Sequence, residues 1–223
     1  MSVAGSSKHA TYDWYLGVSD EGRGHRAWLI QLDYVHRLGQ IYLRPRCLKI
    51  LYVQMTANGG LHFASEPGVG DVGYEFIGRI TTFGLLGDLY TTRKSRGRVE
   101  RIGRASVELQ RLPRRAMIRA YSNMKYNEES GDLVGTELLL ISGAGTKAII
   151  YTSSEGGFIP YAAYDLSISR DWLRFKIFAD ADQASYSARR FGEKLILWRE
   201  GAANQSKIVL FSKWGSCVKE QDK

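Results

Sequence analysis

Trp28-Leu29-Ile30-Gln31-Leu32-Asp33-Tyr34 places Trp28, Ile30, Leu32 and Tyr34 at every second position, with Leu29, Gln31 and Asp33 between them. A period of two is the spacing of a strand with one apolar face, because successive side chains of an extended backbone point to opposite sides. The alternation returns at Ala105, Val107 and Leu109, at Tyr164, Leu166 and Ile168, and at Leu173, Phe175 and Ile177. Turn formers such as Asn58-Gly59-Gly60 fall between the runs, and 24 glycines against four prolines suit many short antiparallel strands. No stretch carries an apolar stripe of helical period over three turns. The best helical candidates, residues 116–125 and 182–190, reach about three turns or fewer. The expectation is an all-β protein, a barrel in preference to a sandwich, because edge-protecting charges and prolines are scarce within the strands.

The 223 residues suit one large β domain or two of about 100 residues each. An internal echo keeps two open, although any two runs of strands can align this well by chance. Leu61-x-Phe63, then Tyr74 and Phe76, then two closing strands, corresponds to Leu173-x-Phe175, then Tyr186, then two closing strands. On that reading residues 1–112 and 113–223 are two small fused barrels, with Arg111-Leu-Pro-Arg-Arg115 as linker; the alternative is one domain over 9–216.

The charge is concentrated. Arg93, Lys94, Arg96, Arg98, Arg101, Arg104, Arg111, Arg114, Arg115 and Arg119 lie in one segment with only Glu100 and Glu108, a local excess of +8. The whole chain has 31 basic and 23 acidic residues, also +8, so the remainder is balanced at 21 against 21. A concentrated positive field selects anionic partners. No aromatic residue stands between Arg93 and Arg119, which disfavours single-strand stacking and leaves duplex backbone or a small phosphorylated ligand.

Other chemistry is sparse. His9, His25, His36 and His62 have no metal-ligand spacing, so neither metal nor cofactor is expected. Cys47 and Cys217 form no disulfide framework; Cys47, beside Arg46, reads as a buried inert thiol, and a reducing cytoplasmic location follows. The acid pairs Asp20-Glu21, Glu128-Glu129 and Asp180/Asp182 read as solvated loops. The turn from Ser142 to Lys147 lacks the spacing of a phosphate-binding loop. The longest apolar run, around Leu138–Ile141, is far shorter than the ~20 residues of a membrane helix, and no secretion signal opens the chain. Tyr12, Trp14, Tyr15, Trp28, Tyr34, Tyr42 and Tyr52 crowd the first quarter and would line a pocket if they point inward.

Gly87, Tyr90, Thr91, Thr92 and Arg93, followed by Val107, Glu108, Leu109 and Arg111, resemble the closing strands of the lipocalin-like β-barrel of bacterial anti-phage effectors that sense cyclic oligonucleotides. The resemblance covers residues 85–112. It implies a calycin-like barrel whose pocket mouth is lined by Tyr90, Arg93 and neighbouring arginines. Those effectors act through membrane-spanning helices that this chain lacks, so that mechanism does not transfer. The leading expectation is a non-catalytic binding protein for a small anionic, nucleotide-like ligand, such as a cyclic nucleotide. Arg93, Arg96, Arg98, Arg101 and Arg104 would form an electrostatic gate, with Tyr90 as stacking partner. Nucleic-acid backbone binding through residues 93–119 is the alternative, and an enzyme on a barrel scaffold is the third. No membrane partner is expected; a homo-oligomer stays open.

Overall fold

The computed structural model describes residues 12–20, 25–43, 46–68, 71–127, 132–143, 146–154, 158–179, 182–202 and 207–213. Of the residues singled out above, His9, Glu21, Glu128, Glu129, Asp180 and Cys217 lie outside this set. All of the regular structure described is β. Neither best helical candidate is a helix: 182–190 is strand throughout, and 116–125 is strand over Met117–Ser122 and again from Lys125. They are short, and their apolar residues pair across a sheet, which overrides a weak helical pattern.

The first eight strands are β1 (Tyr12–Asp20), β2 (His25–Asp33), β3 (Leu38–Leu43), β4 (Arg46–Met55), β5 (Gly60–Ser65), β6 (Val72–Ile80), β7 (Gly84–Ser95) and β8 (Arg98–Arg111). Each pairs antiparallel with the next, and β8 returns to β1 from Tyr15↔Arg111 to Val18↔Glu108. This is a closed, eight-stranded, up-and-down β-barrel. Closure depends on Gly17, where an added Cβ would lie 2.4 Å from the Glu108 carbonyl oxygen. Inside, Tyr15, Trp28, Ile30, Leu32, Phe63, Phe76, Leu89 and Leu109 form a core in which each is almost completely buried.

The second half repeats the plan. Its strands are β9 (Met117–Ser122), β10 (Lys125–Asn127), β11 (Asp132–Gly143), β12 (Thr146–Ser154), β13 (Phe158–Ala162), β14 (Tyr164–Ile168), β15 (Trp172–Ala179), β16 (Asp182–Phe191), β17 (Lys194–Arg199) and β18 (Ile208–Lys213). β9 pairs with β11, β11 with β12 and β12 with β13. β14 through β18 pair in succession, and β18 returns to β9. Only Ala163 separates β13 from β14; its N–H donates to the Ile149 carbonyl, and Asp165 turns the chain at φ 52°. β13 and β14 thus act as one bent strand that serves β12 on one side and β15 on the other. Counting it once, the second ring also has eight positions, because β10 continues β9 along the same edge of β11 in the same register. Tyr121, Leu138, Leu140, Phe175, Ala188, Leu195, Leu197 and Leu210 fill it.

The internal echo falls on equivalent places. β5 and β15 are the fifth strands of their rings. Phe63 stacks on its cross-strand partner Phe76 at 5.0 Å and 13°, and Phe175 stacks on its partner Tyr186 at 5.5 Å and 13°.

A third apolar cluster joins the rings: Ala27, Leu29, Leu112, Ala120, Leu139, Ile141 and Ile150, with Trp14 and Tyr42 packed against it. It explains the apolar runs that break alternation. In β2, Trp28 and Ile30 face the first core while Ala27 and Leu29 face the seam. In β11, Leu138 and Leu140 face the second core while Leu139 and Ile141 face the seam. A strand covered on both sides reads as a continuous apolar run. The same division holds in β12, where Ile149 and Tyr151 face the second core and Ile150 faces the seam, so the alternation of one apolar and one polar face is lost in all three strands.

The crowd of aromatics in the first quarter is divided in the same way. Tyr15, Trp28 and Tyr34 point into the first core, and Trp14 and Tyr42 lie in the seam. Tyr12 is exposed, and Tyr52 lies against His62 on the outer face. Cys47 is disulfide-bonded, a state rare in reducing compartments, so it is neither the inert thiol expected nor a nucleophile.

Candidate anion-binding hairpin

β7 and β8 are 12 and 14 residues long, whereas β17 and β18, their counterparts in the second ring, have six each. The excess forms a hairpin that rises past the end of the first barrel. β6 accompanies β7 only as far as Val72↔Arg93, and β1 accompanies β8 only from Glu108 onward. Every residue from Arg93 to Arg104 is exposed. This segment buries nothing in the core of a ring that closes without it.

Its local geometry follows from the sequence. Arg96 and Gly97 both have positive φ, 49° and 78°, the two-residue turn whose twist matches a β-ribbon. A register shift after Thr91 leaves Ile102 as the extra residue of a bulge, and bulges increase local twist. Beyond the bulge, Arg93 pairs with Glu100 and Ser95 with Arg98 on the face that continues the barrel interior. Lys94 pairs with Val99 on the other face. Glu100 stands opposite Arg93, but no ion pair or hydrogen bond joins Arg93, Lys94, Arg96 or Arg98 to a carboxylate among the described residues.

Closer to the barrel the arginines are neutralised. Arg101 donates through Nε to Glu75 Oε2 at 2.7 Å and lies 4.3 Å over the Tyr90 ring. Arg104 donates to Asp88 Oδ2 at 2.7 Å, and the Ser106 hydroxyl donates to Asp88 Oδ1 at 2.8 Å. His62 Nε2 lies 2.8 Å from Glu75 Oε1 and 3.1 Å from the Tyr52 hydroxyl. Further along β8, Arg111 pairs with Asp13 near the buried Tyr15–Tyr34 hydroxyl pair, which burial pushes up in pKa. Arg114, Arg115 and Arg119 are exposed on the connection between the rings and on β9. At about 3.3 Å per residue the length of β8, roughly 40 Å, separates them from the hairpin turn.

The basic segment is therefore not one patch. Of the nominated residues, Tyr90, Arg101 and Arg104 meet on the outer face of β7 and β8, the two arginines bound to acids of the sheet and Tyr90 beneath Arg101. Arg93, Arg96 and Arg98 stand together above them, joined by Lys94. None of the six lies within the barrel interior, which is filled by apolar side chains.

Glu75 is the electrostatic anchor beneath the hairpin. The Arg101 hydrogen bond, helped by that from His62, outweighs burial and holds its carboxyl below the usual carboxylate range. A depressed folded-state pKa contributes stability that is present above the ordinary value near 4.5 and is lost as pH falls through the folded value. The melting temperature should accordingly drop below about pH 4.5, and Glu75→Gln should flatten that part of the profile. A drop of equal size in Glu75→Gln would assign the acid sensitivity elsewhere.

Sequence reasoning missed a second surface. On the outer face of β15 to β18, Arg189 lies over both Trp172 (5.5 Å) and Phe191 (4.8 Å), and Lys194 lies over Phe211 at 5.6 Å. Trp198 meets Trp172 edge-on at 5.6 Å. The signal available was aromatics at the outward positions of these alternating strands. The cations already cover these rings, so the cluster stabilises the sheet through cross-strand pairs.

No family model, curated protein or solved structure matched this chain.

Proposed function

We propose that the protein binds nucleic acid through its phosphate backbone, using the β7–β8 hairpin. The observation that carries this reading is the unmatched quartet Arg93, Lys94, Arg96 and Arg98 on a projection that contributes nothing to the core. Charges that stabilised the fold would have partners, as Arg101 and Arg104 do. Four cations on a narrow ribbon suit a ligand with regularly repeated negative charge, and guanidinium groups match phosphate oxygens in fork geometry.

A second reading keeps the small nucleotide-like anion, such as a cyclic oligonucleotide. It is favoured by the register that sets Arg93 and Arg98 on the side continuing the barrel interior. At that end of the barrel Arg26 lies 4.3 Å over Trp28 and donates to the Tyr74 hydroxyl at 2.7 Å.

Salt separates the two. Each neutralised phosphate releases counterions, so four contacts give a slope of log affinity against log salt of about −3.6, or roughly a 100-fold loss between 50 and 200 mM. Fluorescence anisotropy with a labelled 20-residue oligonucleotide reads this directly. A slope near zero, with a stoichiometric rise in melting temperature on adding a cyclic dinucleotide, would replace the first reading by the second.

A further inference from the structure

We infer that the β7–β8 hairpin enters the major groove of double-stranded, B-form DNA. The inference rests on the reading of the hairpin as a nucleic-acid contact and specifies its form. Shape comes first. The major groove of B-DNA is about 12 Å wide and 8.5 Å deep and admits a two-stranded ribbon, whereas the minor groove is about 6 Å wide. The two strands here are about 4.8 Å apart with side chains on both faces, which is too thick for the minor groove. The turn lies three residues beyond Arg93, the last position of β7 paired with β6. At about 3.3 Å per residue the free ribbon reaches roughly 10 Å, enough to touch the groove floor.

Charge placement comes second. A groove has a row of phosphates on each side, and this ribbon carries Arg93 and Arg98, with Glu100 opposite Arg93, on one face and Lys94 on the other. Arg96, at the first turn position, is left for the floor, where a guanidinium meets guanine O6 and N7 as a fork. Among the described residues no strand pairs with the outer edge of β8 before Glu108, so backbone amides along that edge are available to phosphates. The third argument is chemical. The projecting part of the hairpin, Arg93 to Arg104, has no aromatic ring on which an unpaired base could stack, and Tyr90 below it is covered by Arg101. The deep, narrow major groove of A-form RNA would refuse a ribbon of this width.

The test uses the full chain and one labelled 20-base-pair DNA duplex, its separate strand and the same sequence as duplex RNA. Methylation of guanine N7, which projects into the major groove, should weaken binding about tenfold, while methylation of adenine N3 in the minor groove should not. Methyl green should displace the protein and netropsin should not. Arg96→Asn keeps a residue that tolerates positive φ and removes the fork, so it should abolish the N7 effect while retaining most of the salt-dependent affinity. Hairpin-dependent binding that is indifferent to N7 methylation, displaced by netropsin, or equally strong on the single strand would overturn groove entry and leave the backbone reading in place. No binding to any of the three nucleic acids, or binding unaltered by reversing the hairpin charges, would overturn both.

Discussion

Reversing three charges at once, Arg93→Glu, Arg96→Glu and Arg98→Glu, is expected to cut affinity for duplex DNA at 100 mM salt by at least about 100-fold and to reduce the salt slope to about −1. Only Lys94 of the quartet would remain, now beside three new repulsive carboxylates. Stability should move little, by no more than about 1 kcal/mol, because these side chains are exposed and the main cost is a carboxylate at position 93 directly opposite Glu100. That dissociation of effects is the informative part. Reversal at Arg101 or Arg104 would instead strip the hydrogen bonds of Glu75 or Asp88 and disturb the sheet beneath. The triple variant therefore separates ligand binding from folding in one molecule. Unchanged affinity would leave the quartet as surface charge without a ligand, and melting well below the parent would assign it a structural duty.

Removing one ring of a stacked pair should be as severe on the folding side. Phe63→Ala deletes a side chain with no solvent exposure from the first core, and such truncations cost about 3–5 kcal/mol. For a ring of about 100 residues this lowers the melting temperature by more than about 10 °C. Because Phe63 and Phe175 belong to separate clusters, calorimetry should resolve two transitions. Phe63→Ala should move one of them and Phe175→Ala the other. The seam couples the rings but is the smaller cluster, and its residues are spread over both. A single transition that shifts intact in either variant would mean that the seam, and not the individual cores, sets cooperativity.

Strand character was legible because alternation such as Trp28, Ile30 and Leu32 is a direct imprint of a pleated backbone on a core. Less was legible where two influences overlapped. The runs at Ala27–Ile30 and Leu138–Ile141 read as strands, but their second buried face depends on the docking of one ring against the other, and no local pattern announces that. The helical candidates failed because short segments carry too little periodic signal against the pull of neighbouring strands. The basic segment was visible as composition, yet its division was not. Whether an arginine is free or neutralised depends on Glu75, Asp88 and Asp13, which reach it only through cross-strand and ring-closing register. The turn at Arg96-Gly97 was the feature that could have been read earlier, since glycine after a polar residue between two strands marks a tight hairpin. The aromatic face of β15 to β18 escaped notice because inward and outward positions look alike until the ring is closed.

The strands with no wet side have a consequence for how such a chain could arise and be cut. A solitary copy of either half would bear an oily flank along β2 or β11, and burying it would demand a companion. Fusion through Pro113 supplies that companion permanently, at equal stoichiometry and high local concentration. Severed halves should seek one another or precipitate, while the projecting ribbon, which contributes nothing to either core or to the seam, is free to vary its charges without disturbing the union.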